Sequence, residues 1–123
     1  MNINIKTGTI ELKAQLNNSE TAKRIYEKLP IKGTINKWGD EVYFEIPVHV
    51  ELEEKIAREV VEKGDLGFWP SGDCFCIFFG KTPASRGNEI RPASAVNVFG
   101  KILGDISVLK STTDGENITI KKA

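Results

Sequence analysis

The chain has one histidine and two cysteines, the side chains on which a catalytic triad or a zinc site would most readily be built. His49 follows Pro47-Val48, and nothing near it in sequence supplies a nucleophile or the further ligands a zinc site needs. Its reading is a surface histidine at a strand end. Cys74 and Cys76 lie two apart in the run Cys74-Phe75-Cys76-Ile77-Phe78-Phe79. On a strand they point to one face, along a backbone too straight for a comfortable disulfide. Thiols in such apolar surroundings have raised pKa values and serve as small core side chains. No metal and no cofactor is expected.

Carboxylates, arginines and aromatic rings carry the remaining possibilities. Asp40, Glu41, Glu45, Asp65 and Asp73 sit near turns, where aspartates usually bond their own backbone. Glu45 stands out, because it shares a strand face with Tyr43 opposite the apolar stripe. The loop from Thr82 to Ser94 holds Ser85, Arg86, Asn88, Glu89 and Arg91. Its guanidinium groups suit a carboxylate, phosphate or carbonyl. A loop of this length in so small a domain is either functional or a solvated loop with an internal Arg–Glu pair. Trp69-Pro70 is a core plug or the wall of a pocket.

The elements that must position these groups follow from periodicity. Ile3, Ile5, Ile10, Leu12, Ala14 and Leu16 alternate with polar residues, as two short strands around Thr7-Gly8-Thr9 or one interrupted strand. Ser19 is an N-cap, and Ala22, Ile25, Tyr26 and Leu29 form one helical stripe that Pro30 ends. Trp38-Gly39-Asp40 turns a hairpin, after which Val42, Phe44 and Ile46 share a dry face and Glu41, Tyr43 and Glu45 a decorated one. Residues 51–63 read as a short helical or irregular piece followed by a strand beginning near Arg58. Cys74 to Phe79, framed by glycine and proline turns, is a strand buried on both faces. Val96, Val98 and Ile102 resume a strand, Ile106 to Leu109 form a short helix or strand, and Asn117 to Ile120 form a last strand that pairs with the first.

Composition bounds the function. The 123 residues make a single domain, 1–123, able to bury its own core. Lys plus Arg and Asp plus Glu are both 17 and interleaved, so no net field draws in nucleic acid or an anionic membrane. No stretch nears the roughly 18 apolar residues of a membrane helix, and the alternating N-terminus has no secretory h-region. The expected compartment is the cytoplasm.

Residues 64–100 carry a resemblance. Gly72-Asp73-Cys74-Phe75-Cys76-Ile77-Phe78-Phe79, the Phe-Gly-Lys-Thr-Pro-Ala-Ser segment at 79–85, Arg91-Pro92-Ala93-Ser94 and Val98-Phe99-Gly100 resemble the small prokaryotic cyclophilin-like proteins. The resemblance implies a mainly β fold, a closed cyclophilin-like barrel of about eight strands with one or two short capping helices. Cyclophilins isomerise X-Pro bonds with an arginine that polarises the substrate carbonyl. Here Glu45 falls near that arginine's position, Cys74 and Cys76 match the groove glutamine and phenylalanine, and Val96 falls near the groove histidine. A carboxylate opposes charge developing on a carbonyl oxygen, so isomerase activity is not expected. The resulting expectation is a barrel binding a small molecule or short peptide between Tyr43, Glu45, Trp69, Ser85, Arg86 and Arg91. A divergent isomerase, or a module that docks a partner protein or a second copy of itself, is the alternative.

Overall fold

The computed structural model describes residues 1–123, and almost all of its regular structure is antiparallel sheet. The strands are β1 (Asn2–Thr7), β2 (Ile10–Leu16), β3 (Ile31–Thr34), β4 (Asn36–Lys37), β5 (Glu41–Glu45), β6 (Ala57–Arg58), β7 (Asp65–Trp69), β8 (Cys74–Phe78), β9 (Val96–Leu103) and β10 (Asn117–Lys122). Helix α1 spans Glu20–Lys28, and a 3₁₀ helix spans Ile106–Ser111. No helix is long and apolar enough to cross a membrane.

Local chemistry accounts for α1. Ser19 is its N-cap and accepts from the Ala22 amide at 3.1 Å, while Ala22 and Ile25 are buried and Leu29 caps the C-terminal end before Pro30. The final strand pairs with the first as the sequence predicts, with Ile5 opposite Ile120.

The sheet runs β3-β10-β1-β2-β9-β7-β8-β5-β4, with β6 paired to β9. It has ten strands rather than eight, and the expected closure is corrected: no ladder joins its two ends. Those ends are consecutive in sequence, linked by Ile35. The Ile35 amide donates to Glu116 O at 2.8 Å and its carbonyl accepts from the Gly115 amide at 2.9 Å. The chain therefore passes its hydrogen bonds from β10 to β5 across one residue. A side chain stands where a ladder would: a Cβ placed on Gly33 would lie 2.6 Å from the Phe44 ring. The ends meet by packing.

Two further expectations change. Residues 51–63 are mostly irregular, and the strand near Arg58 is only the two-residue β6. The stretch after Gly64, read as turns, is instead the strand β7, which contains Gly67 and is flanked by Gly64 and Pro70.

Strand β8 is buried on both faces as expected, and this divides the core. Phe75 and Ile77 enter the main core with Phe44, Phe68 and Phe99. Cys74, Cys76 and Phe78 enter a smaller cluster with Val61, Ile90 and Val96 on the other side of the sheet. Along β9 the alternation turns Val96 and Val98 to the small cluster and Phe99 to the main core, and the register shift between Leu66 and Gly67, where β7 meets β9, lets Ile102 join Phe99 there. The long loop after β8 roofs that second side.

Candidate functional site

The small cluster's outer edge opens into a cavity of about 280 Å³, lined by Trp38, Glu41, Tyr43, Trp69, Cys76, Pro92, Ala93 and Val96. Its floor comes from the strands. On β5 the alternation sends Glu41, Tyr43 and Glu45 outward, opposite Phe78, Cys76 and Cys74 of β8. Beyond β8, Trp69 lies opposite Cys74 and Gly67 opposite Cys76. Gly67 is obligatory, since a Cβ there would lie 2.9 Å from Val96 and 3.0 Å from Phe78.

The walls are held from two directions. The Trp38–Glu41 turn closes through Trp38 N to Glu41 O at 3.0 Å and Glu41 N to Trp38 O at 3.2 Å. Gly39, at φ +61°, provides the positive φ that such a turn needs. Opposite, the Trp69 indole N–H donates to Ser94 Oγ at 2.6 Å, and its ring sits where Gly72 would otherwise carry a Cβ. Ser85 fastens the roof: its Oγ accepts from the Thr82 amide at 3.0 Å and the Arg91 amide at 3.1 Å. The Thr82 hydroxyl donates to Arg91 O, and the Val61 amide donates to Ile90 O at 2.9 Å.

Glu41 is the unusual member. It is 6% exposed, its Oε1 has no hydrogen-bond partner, and no Lys, Arg or His pairs with it. Burial pushes its pKa up to about 7, partly offset by the neighbouring Cys76 thiol. Burial, together with that carboxyl, also holds Cys76 well above the ordinary thiol range. Cys74 is pushed up to about 11 by burial and by Glu45, Glu41 and Asp73. Both cysteines are free and buried.

Of the six residues singled out from sequence, Tyr43 and Trp69 line the cavity. Glu45 lies on the same strand face but is exposed and outside the lining. Ser85 fastens the roof without lining the cavity, and Arg86 is exposed on the roof's outer turn. Arg91 pairs with Glu89 at 2.5 Å, the internal Arg–Glu pair weighed for this loop. Cys76 and Val96, matched from the resemblance to groove positions, do line the cavity. Sequence reasoning missed Trp38 and preferred Glu45 to Glu41. The usable signal was that Glu41 shares Tyr43's face and lies nearer the turn that the loop packs against.

His49 lies away from the cavity, with Nδ1 2.5 Å from Asp73 and Nε2 3.5 Å from Glu51. The hydrogen bond to Asp73 raises its pKa. No cluster of three or more His, Cys, Asp or Glu side chains is placed to hold a metal ion.

With this geometry in hand, comparison with known proteins gives three findings. The family model described as Cyclophilin-like matches residues 1–121. A hypothetical protein, AF2241 from Archaeoglobus fulgidus, has a solved structure that is 44% identical and superposes with a TM-score of 0.85, covering 100% of this chain and 95% of that one. The structure of McbB in complex with tryptophan is 17% identical with a TM-score of 0.73, covering 98% of this chain and 44% of that one, a likeness of fold alone. No curated protein matches.

Proposed function

The chain belongs to the cyclophilin-like family, and we propose that within it this protein binds a compact, largely apolar small molecule in the cavity beside Glu41. One observation carries the reading: a carboxyl oxygen, Glu41 Oε1, is buried without a partner at the wall of an otherwise aromatic and aliphatic cavity. Leaving such a group unpaired costs about 1–3 kcal/mol, more if it is charged, and a ligand donor would recover part of that. A mostly apolar hollow with one placed polar group is how small-molecule sites are usually built. The volume of about 280 Å³ suits a compact ligand better than an extended peptide.

Prolyl isomerisation is the less supported reading. No arginine lines the cavity, so no guanidinium is available there to polarise a carbonyl. On an X-Pro peptide the expected rate is the uncatalysed one, with relaxation over tens to hundreds of seconds.

The binding test is a thermal-shift panel of compact aromatic and heteroaromatic molecules. Tryptophan is included because McbB is described in complex with it. A ligand at about 100 times its Kd should add ~2.7 kcal/mol of stability. Ala93→Phe, an exposed position at the mouth, should abolish the shift while leaving the apo protein folded. A panel with no stabilising compound, or shifts that survive Ala93→Phe, would remove the cavity from consideration.

A further inference from the structure

Three aromatic rings, Trp38, Tyr43 and Trp69, share the cavity wall with Glu41, and no cationic side chain lines it. The charged groups that bear on its titratable side chains are acids. Glu45 and Asp73 act on Cys74 in the cavity's neighbour strand, and Glu41 and Asp114 act on Tyr43. The cations in the vicinity are otherwise engaged. Lys37 Nζ donates to Thr112 O at 2.8 Å and to Lys110 O at 3.4 Å. Arg91 is held by Glu89 at 2.5 Å, and Arg58 donates to Ala57 O at 2.8 Å and Lys55 O at 3.2 Å.

An anionic ligand would meet an uncompensated carboxyl here, and a neutral one could at best donate a hydrogen bond to Glu41 without supplying counter-charge or engaging the ring faces electrostatically. A cation resolves both. Aromatic faces attract a cation through their ring quadrupoles, most strongly when water is excluded, and alkylated ammonium groups are the usual beneficiaries. A buried carboxylate adds the counter-charge. We infer that the cavity selects an organic ammonium ion, with Trp38, Tyr43 and Trp69 around the charged nitrogen and Glu41 as its counter-ion. The inference rests on the small-molecule reading above and narrows its ligand to a charge class.

The chain provides its own reporter. Its two tryptophans, Trp38 and Trp69, both line the cavity, so the whole indole signal arises there. The probes are choline and 3,3-dimethylbutan-1-ol, which differ by a quaternary nitrogen for a quaternary carbon and therefore by charge alone. Each is titrated while tryptophan emission and the two indole N–H resonances are followed. Choline should bind about ten-fold tighter than the alcohol or better, a margin within the range for desolvated cation–π contacts. In Glu41→Gln, an isosteric neutral change, that preference should fall to a few-fold, the share the rings contribute. If the alcohol binds as well as choline, the ammonium inference fails while the cavity reading stands. If Glu41→Gln keeps the full preference, Glu41 is not the counter-ion and the inference fails in that form. If neither probe moves either indole signal at millimolar concentration and the compound panel is also silent, both readings fall together.

Discussion

Glu53 and Glu41 are two carboxylates near the same sheet, and their surroundings are opposite. Glu53 sits at the head of α1, where Oε2 accepts from the Thr21 amide at 2.8 Å and from the Thr21 hydroxyl, and Oε1 accepts from the Glu20 amide at 3.2 Å. Burial pushes its pKa up, but the Thr21 side-chain and backbone donors, the Glu20 amide and Lys23 outweigh it and hold it below the usual carboxylate range. Glu41 is more deeply buried, receives no comparable donors and is pushed the other way. An acid fully satisfied by its own chain is spoken for, a clasp for helix and loop. An acid buried without partners costs stability that a ligand could relieve. Sites and clasps are thus distinguished by what the fold leaves unpaired.

The largest expected effect lies on the clasp side. Asn97, with no exposed surface, donates to Thr21 Oγ1 and Glu51 O at 3.0 Å each, and accepts from the Glu53 amide at 2.8 Å. Asn97→Leu removes all three bonds and leaves the Thr21 hydroxyl buried and the Glu51 carbonyl and Glu53 amide part-buried beside an apolar side chain. The loss should be about 4 kcal/mol, at 1–3 kcal/mol per orphaned group with partial relaxation. Equilibrium denaturation in urea measures it. A loss below about 1 kcal/mol would mean that the network is ornamental and that the contrast drawn between the two acids is unfounded.

Next in size is Glu41→Gln. A folded-state pKa of about 7 against an ordinary 4.5 means the folded protein holds the Glu41 proton more tightly than the unfolded chain does. Its contribution is therefore fully present below pH 4.5 and is lost as pH rises through 7. The facing groups are the Cys76 thiol on the neighbouring β8 and the Tyr43 hydroxyl on its own strand, both neutral in that window. At pH 8 the neutral variant should exceed the parent by up to about 3 kcal/mol, with the two converging near pH 5. Thermal denaturation across that range checks it, and a variant that is less stable at pH 8 would show Glu41 to be paired after all.

Glu53→Gln should show the opposite slope with a smaller size. The Glu53 pKa is lowered in the fold, so its contribution is present above the ordinary carboxylate value and fades as pH falls below it. The variant should be less stable than the parent by about 1–2 kcal/mol at pH 7, near the low end of the roughly 1.5–3 kcal/mol for hydrogen bonds to a charged group because Glu53 is partly exposed. It should approach the parent in acid. Parallel pH profiles for Glu41→Gln and Glu53→Gln would erase the distinction between the two acids.

These two acids also show what the sequence made legible. Elements written by local chemistry were readable: the Ser19 cap, the stripe ending at Pro30, the Val42/Phe44/Ile46 face and the pairing of the last strand with the first. Strand β7 was not, because Gly64, Gly67 and Pro70 read as breakers. In the fold, Gly67 is a strand residue whose missing side chain makes room for Val96 and Phe78. Whether the sheet closes at Ile35 depends on where the Phe44 ring packs, which no local period encodes. The site divides in the same way. Aromatic residues beside turns pointed to Tyr43 and Trp69. Glu41 looked like one more acid on a decorated face, because the residues that share its cavity, from Trp69 to Val96, come from parts of the chain far from it in sequence.

The smallest effect should come from Ser94→Ala, and its smallness is informative. Ser94 accepts the Trp69 indole N–H, but Trp69 is only partly buried, so water can replace the hydroxyl. The stability cost should stay within about 1 kcal/mol, the net worth of a hydrogen bond whose donor is not orphaned. The ring will nonetheless lose the one hydrogen bond that fixes its orientation, keeping its contacts with Gly72 and the small cluster. Choline affinity should then fall several-fold with little change in urea midpoint, since binding depends on a preorganised ring and folding does not. A cost of several kcal/mol would make Trp69 part of the structural network, and the cavity wall would then belong with Glu53 rather than with Glu41.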